Sequence, residues 1–238
     1  MMTTTTQTGS PLRQLGDLCR ADASVIDAWF EGRANGGVRL CCLSIMIAGG
    51  LYGFTLGYWR APEMGAYVAL KLPLLIFVVL LVNGLINGML AQVLGSGLSF
   101  RQSLTMSLVS FTTVTLILGA LSPITFFMVV NAPASDSVGA VRWHQIFMVT
   151  HTALIAYAGV VGNYKSYRLL VGITDDLAAA RRTFMAWLVT NLFVGTQLSY
   201  TMRPFFGNPL KGVELFRDDA FGGSFYEVLL HSLMRIFQ

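Results

Sequence analysis

The sequence predicts an all-α polytopic membrane protein with about five transmembrane helices and an amphipathic helix at each end. Charged residues make up 12% of the 238-residue chain, against roughly 25% in an average soluble domain. The mean hydropathy is +0.62. All the charged residues, 16 Lys and Arg with 12 Asp and Glu, lie outside five uncharged windows. The windows are Leu40–Trp59, Leu72–Phe100, Gln102–Ser135, Trp143–Tyr164 and Thr183–Met202.

Each window is long enough for a membrane-spanning helix, which needs about 20 apolar residues to cross a hydrocarbon core of about 30 Å. In lipid the backbone must satisfy its own hydrogen bonds, and the windows lack the strict alternation of barrel strands, so they are predicted to be helices. The chain then divides into a cytoplasmic tail with an interfacial helix (residues 1–38), a five-span transmembrane domain (39–203), and a turn with an amphipathic C-terminal helix (204–238).

In two windows the sequence does not determine where the helix begins or ends. Pro123 lacks an N–H, so the third helix is expected to kink or stop near Ser122. Ile124–Val130 then either extends the span or forms a re-entrant or surface turn. The second span can begin before Lys71, since Ala66–Leu70 is also apolar. In that case Lys71 lies inside the membrane interface and extends its amine to the headgroups.

The distribution of Lys and Arg predicts the orientation. With five spans, nine of these residues lie on the N-terminal side of the membrane and seven on the other side. The positive-inside rule therefore places the N-terminus in the cytoplasm. Residues 1–38 lack the compact apolar core of a cleavable signal peptide, so the first span is expected to act as its own signal.

An interfacial helix is predicted near the N-terminus and a short helix between the fourth and fifth spans. Pro11–Arg33 has an apolar stripe with acidic residues elsewhere, which suits a helix lying along a headgroup surface. After Thr174, Asp175 and Asp176 occupy the first turn of the short helix, where the helix dipole favours negative charge.

The C-terminal region begins with an abrupt end to the fifth span. Arg203 and the prolines at 204 and 209 turn the chain back and place Phe205 and Phe206 at the membrane interface. Ser224 and Glu227 form a capping box that starts a final helix, running to about Ile236. Its polar stripe consists of Glu227, His231 and Arg235.

These C-terminal residues carry a resemblance to a known group of proteins. The turn at Gly207 and Pro209 after Arg203–Phe206, followed by Gly223–Glu227, resembles the C-terminal signature of a family of uncharacterised bacterial multi-span inner-membrane proteins. Lys71-x-Pro73 and Tyr52–Gly53 fit the same family, and the similarity covers about residues 38–237. The five-span plan also resembles that of Yip-like proteins, without their acidic Tyr-Gly-Pro motif. The resemblance implies a topology and a bacterial membrane, and no catalytic residue.

Small residues repeat every four positions within three of the predicted spans. In lipid, such spacing lets helix backbones approach closely, and this packing holds helices together. The pattern therefore predicts helix-packing faces; the alternative is docking of a second copy or of a partner helix. The glycines concerned are Gly49, Gly53 and Gly57 on the first span, Gly84 and Gly88 on the second, and Gly195 on the fifth.

Polar side chains within the windows are the second set of candidates. They either bond across helices as structural contacts or line a polar pocket or pathway between spans 2, 3, 4 and 5. The residues are Asn83, Asn87, His151, Asn191 and Gln197. His151 is predicted to be a neutral, hydrogen-bonded core residue; a proton- or ligand-sensing role and a metal ligand are the alternatives. Since the windows contain no carboxylate, a proton relay lacks its usual partners.

Three functions remain open from the sequence. The leading hypothesis is a non-enzymatic subunit or scaffold of a membrane complex, packed against other membrane subunits or a second copy through its glycine faces. The alternative is a small-solute transporter or channel lined by the polar residues above. The third, a lipid-modifying enzyme, requires Asp175 or Asp176 to face a pocket at headgroup level. No catalytic motif, cofactor, metal site or nucleic-acid partner is predicted.

Overall fold

The computed structural model describes Gly16 and residues 36–206, 212–217 and 220–227. Within them the protein is helical, without strands, and its five long helices are α1 Gly36–Tyr58, α2 Pro62–Val93, α3 Phe100–Val130, α4 Ala140–Ile173 and α5 Leu177–Thr201. The first four are long and apolar enough to cross a membrane. Of the predicted helix at Pro11–Arg33 only Gly16 is described, and it is helical. The turn at Gly207 and Pro209 and the stripe residues His231 and Arg235 lie outside the described residues.

The uncharged windows are helical, but several helices extend beyond them. The helix α2 begins at Pro62, well before Leu72, and a proline in the first turn has no N–H that the helix would need. The predicted short helix after Thr174 is the first turn of α5 itself. Asp176 is the N-cap of α5, and its Oδ1 accepts a hydrogen bond from the Ala178 N–H at 2.8 Å.

Proline 123 does not end α3, which continues as one helix to Val130. Residues 124–130 therefore extend the helix rather than forming a separate turn. Membrane helices tolerate proline, because only one carbonyl loses its N–H donor and other groups can satisfy it. Two hydroxyl groups beside Pro123 bond within the same helix: the Ser122 hydroxyl donates to the Leu118 carbonyl at 3.3 Å, and the Thr125 hydroxyl donates to the Ser122 carbonyl at 3.1 Å.

Consecutive helices run antiparallel, so the helix ends and the loops lie at two opposite ends of the bundle. We call the end that holds the start of α1 and residues 94–99 and 174–176 the proximal end. The distal end holds residues 59–61 and 131–139 and the segment after α5. Loops at the distal end are bonded together, because the Trp59 indole N–H donates to the Pro133 carbonyl at 3.0 Å. Phe206, after α5, packs in the same cluster as Trp59 and Ala140.

Glycines bring α1, α2 and α3 into close contact. A Cβ added at Gly53 would lie 2.5 Å from the Val68 carbonyl oxygen, and one at Gly57 would overlap the Met64 carbonyl. Gly84 and Gly88 face side chains at the start of α3 just as closely. The faces of α1 and α2 predicted from glycine spacing are therefore occupied within the chain. Gly195 on α5 has nothing within 4 Å among the described residues.

We expect Gly53→Ala to destabilise the protein by about 1–3 kcal/mol, because the new methyl group must push α1 away from the Val68 carbonyl. Gly159→Ala on α4 is the matched control, since a Cβ there meets nothing within 4 Å. It should be neutral or stabilising by up to about 1 kcal/mol, as expected for removal of a helical glycine. Equilibrium unfolding of both variants in mixed micelles gives the comparison, and equal effects would contradict this packing.

Candidate functional site

The most unusual group in the structure is the ammonium of Lys71, which is buried near the distal end. Lys71 is 1% exposed and lies about 14 Å along α2 from Pro62. Its Nζ donates to the Pro204 carbonyl at 2.8 Å and to the Leu215 carbonyl at 2.6 Å. Both acceptors belong to the segment that follows α5, so the amine does not extend to the headgroups as the sequence predicted.

Two aromatic rings complete the surroundings of this ammonium. The Lys71 Nζ lies 5.1 Å from the ring centre of Phe205 and 4.9 Å from that of Phe216. Aromatic faces attract cations, and the attraction is stronger where water is excluded. No described carboxylate pairs with Lys71. Backbone carbonyls and ring faces therefore stabilise the charge, and the C-terminal chain supplies all of them.

His151 and the aromatic side chains around it lie next to the Lys71 site. His151 is fully buried, and its Nδ1 shares a hydrogen bond of 2.8 Å with the Tyr52 hydroxyl. The rings of Phe147 and Phe206 lie 4.3 Å and 5.8 Å from the imidazole. The Nε2 of His151 has no hydrogen-bond partner among the described residues. This agrees with the predicted core histidine held by one hydrogen bond.

The segment Pro204–Phe206, which we call the C-terminal strap, joins the two sites. Phe205 faces Lys71 and the adjacent Phe206 contacts His151, so both predicted interfacial aromatics pack into the bundle. The Arg203 guanidinium lies 3.6 Å from the ring centre of Tyr200 and donates to the Tyr200 carbonyl at 2.9 Å. The strap therefore closes the distal end of the bundle.

The chain after the strap also packs on α5. The Gln197 side-chain oxygen accepts a hydrogen bond from the Phe225 N–H at 3.1 Å, and the ring of Tyr226 stacks on Phe193 at 4.6 Å. The predicted capping box forms: the Glu227 N–H donates to the Ser224 hydroxyl at 3.2 Å, and the Ser224 N–H donates to the Glu227 carboxylate at 3.0 Å. Gln197 thus binds the C-terminal chain rather than lining a pathway.

A separate polar pocket lies among α2, α3, α4 and α5. The Asn87 side-chain amide donates to the Asn191 side-chain oxygen at 3.2 Å. The Asn87 Oδ1 is buried without a partner among the described residues. The pocket admits roughly one water molecule. It is lined by Asn87, Ser107, Ser110, Phe111, Asn163, Ser166, Phe184, Trp187 and Asn191.

The five predicted pathway residues therefore do not meet in one cavity. Asn87 and Asn191 come together, whereas His151 bonds to Tyr52 and Gln197 bonds to the C-terminal chain. Asn83 is fully buried, and neither side-chain atom has a partner among the described residues. Sequence reasoning missed the serines and Asn163 of the pocket. Their positions on α3 and α4 carry no distinctive spacing that would have identified them.

The acidic residues between α4 and α5 have a structural role. Asp176 caps α5, and its carboxylate lies 3.9 Å from the Arg182 guanidinium, with both side chains more than 60% exposed. The described residues contain no group of three or more His, Cys, Asp and Glu side chains that could hold a metal ion. The chemistry available at the described sites is hydrogen bonding, cation binding by aromatic rings and close helix packing.

No protein-family model, curated protein or solved structure matches this chain. The family resemblance carried by the C-terminal residues therefore stays a prediction.

We expect Tyr52→Phe to destabilise the protein by about 1–3 kcal/mol, because it leaves the buried Nδ1 of His151 without its partner. Tyr157→Phe is the matched control: Tyr157 is 60% exposed on α4, and its change should stay within about 0.5 kcal/mol. Unfolding midpoints in the same detergent give both values. A Tyr52→Phe variant as stable as the control would show that the bond contributes nothing to the fold.

Proposed function

We propose that the protein is a non-enzymatic integral membrane protein with five spans, acting as a subunit or scaffold of a membrane complex. We further propose a bacterial inner-membrane location with a cytoplasmic N-terminus, on the grounds of charge distribution and the family resemblance. The proximal end of the bundle is then cytoplasmic. Transport through a path lined by all five polar residues is not favoured, because these residues lie at separate sites.

The position of α5 supports the five-span topology. The helix has 25 residues, which is enough to cross the hydrocarbon core. It begins at the proximal end, where residues 174–176 connect it to α4. The strap that follows it packs at the distal end beside Trp59. Its ends are thus at opposite ends of a bundle whose other helices have membrane-spanning length and apolarity.

The observation that carries the subunit proposal is the outer surface of α5. This helix is the least apolar of the five and is not among the four that qualify as spans by apolarity alone. Yet only Ala179, Ala180, Thr183 and Trp187 are buried. A helix with polar groups is more stable in a membrane when protein rather than lipid covers it. A partner helix on α5 would supply that cover.

Packing within the chain also indicates which glycine remains for a partner. Gly53 and Gly57 on α1 are covered by α2, whereas Gly195 has nothing within 4 Å. Leu192, three residues earlier on α5, is 61% exposed. The proposed partner surface is therefore the α5 face that contains Leu192 and Gly195. It replaces the α1 and α2 glycine faces as the expected docking surface.

We expect the protein extracted in a mild detergent to have a discrete mass above that of one 26.0-kDa chain, and Gly195→Leu to reduce it to that of one chain. Among the described residues the added side chain meets open space, so the effect is expected on association. Gly172→Leu is the matched control, because Gly172 on α4 also has nothing within 4 Å. A wild-type protein that is monomeric under these conditions would contradict the proposal.

A second test of a partner on α5 places single cysteines at Leu192 and Leu81 in a background without native cysteines. The two leucines are 61% and 64% exposed near the middle of α5 and α2. A photoactivatable cross-linker on residue 192 should form a defined protein adduct in membranes, whereas residue 81 should react with lipid. Equal labelling at both sites would indicate that α5 has no partner.

Labelling of single cysteines in intact cells tests the topology. The exposed residues Val138, Asp175 and Phe221 provide the positions. With five spans, cysteines at 138 and 221 should react with an impermeant reagent outside the inner membrane. A cysteine at 175 should react only after permeabilisation. Residue 221 reacting together with residue 175 would mean that α5 does not cross the membrane.

A further inference from the structure

The side chain of Asn87 on α2 is held in place but is not fully hydrogen-bonded. It is 1% exposed and lines the polar pocket. Its amide donates to the Asn191 side-chain oxygen at 3.2 Å, and its backbone carbonyl accepts the Trp187 indole N–H at 2.9 Å. Its Oδ1 has no partner among the described residues. Because a buried amide oxygen without a hydrogen bond is costly, this atom needs a donor.

Three serine hydroxyl groups that line the pocket also have no hydrogen bond among the described residues. Ser107 and Ser110 belong to α3, and Ser166 belongs to α4. Other hydroxyl groups of α3 bond to the carbonyl four residues earlier: Thr112 does so at 2.8 Å and Thr115 at 2.7 Å. The three serine hydroxyls are therefore available to a molecule in the pocket, both as donors and as acceptors.

The size of the pocket limits what it can hold. It admits roughly one water molecule, which excludes a lipid headgroup or an organic solute. Asn191 lies two residues from the middle of α5. With the proposed five-span topology the pocket thus lies in the hydrocarbon core, where bulk water does not complete missing hydrogen bonds.

The chemistry of the lining favours water over a small cation. None of the lining residues carries a charge, so nothing would offset the charge of a buried sodium ion. A water molecule donates two hydrogen bonds and accepts others, and buried waters typically make about three. One such molecule can serve the Oδ1 of Asn87 and the serine hydroxyls together.

We propose that one ordered water molecule occupies the polar pocket and bridges α2, α3 and α4. It donates one hydrogen bond to the Oδ1 of Asn87 and accepts one from a serine hydroxyl. Its second hydrogen goes to the side-chain oxygen of Asn163, whose amide already donates to the Gly159 carbonyl at 2.8 Å. This water joins the glycine-packed helices α2 and α3 to α4, and through Asn87 and Asn191 to α5.

Hydroxyl-radical labelling by a short X-ray pulse, read by mass spectrometry of the full chain in mild detergent, tests for this water. Radicals formed from an ordered internal water oxidise the side chains beside it, even where bulk solvent does not reach. Trp187 lines the pocket and is 4% exposed, so it should be labelled. Met106 on α3 is fully buried and does not line the pocket. It should stay unlabelled, although a thioether is no less reactive than an indole.

A variant that fills the pocket gives the second arm of the test. Ser166→Val should abolish the Trp187 label, because a larger apolar side chain takes the space of the water. Ser44→Val is the matched control: Ser44 is also buried, but it lies on α1 away from the pocket, so the label should remain. Thermal unfolding checks that both variants fold; if Ser166→Val does not, Ser107→Val fills the pocket from α3.

Four results would overturn the proposal. An unlabelled Trp187 in the wild type would mean that the pocket is dry. Equal labelling of Met106 would mean that radicals enter the bundle from outside. A label that persists in folded Ser166→Val would mean that the oxidant reaches Trp187 by another route. Loss of the wild-type label when sodium chloride replaces choline chloride would mean that the pocket takes a sodium ion. None of these results bears on the partner surface at Gly195.

Discussion

The ammonium of Lys71 imposes the strongest constraint on this structure. A cation taken out of water is costly unless other groups replace its hydration, and no described carboxylate pairs with it. Two carbonyls and two aromatic rings do so, and all four belong to residues after α5. The C-terminal chain is therefore an integral part of the helical bundle. Phe206 extends this connection to His151 and thus to α4.

The two halves of the bundle differ in how they are held together. The helices α1, α2 and α3 pack through glycines whose backbones meet neighbouring helices directly. By contrast, α4 and α5 have fewer buried residues and carry the polar pocket, the exposed arginines and the open Gly195. The close-packed half is suited to stability. The α4–α5 half leaves more of its side chains exposed.

Much of the fold could be predicted from the sequence, because local composition determines it. The uncharged windows identify helices, and the capping box of Ser224 and Glu227 depends on residues three apart. Helix ends were less accessible: α2 begins at Pro62, before its uncharged window, and it can include Lys71 because the protein buries that side chain. Likewise, Pro123 does not stop α3, since a proline removes only one hydrogen bond from a long helix whose other residues continue the pattern.

The sites were harder to predict, because they depend on contacts between residues distant in sequence. Spacing pointed to the glycines of α1 and α2 that lie against neighbouring helices, and to Asn87 and Asn191, which bond to each other. It could not reveal that Gln197 binds Phe225, or that Leu215 accepts a hydrogen bond from Lys71. These contacts join residues 28 and 144 positions apart. No periodic pattern encodes such pairs.

Hydrogen–deuterium exchange of a Lys71→Met variant tests most directly whether this one cation secures the C-terminal chain. Peptides that contain Arg203 and Phe225, whose N–H groups donate to the Tyr200 carbonyl and the Gln197 side chain, should exchange at least about tenfold faster than in the wild type, because the chain after α5 loses its hydrogen bonds to Lys71. Peptides from α1 and α3 should be unchanged, and Arg142→Met, which removes an exposed cation from α4, serves as the matched control. Unchanged exchange in the C-terminal peptides, or an equal loss of protection throughout the bundle, would contradict the account.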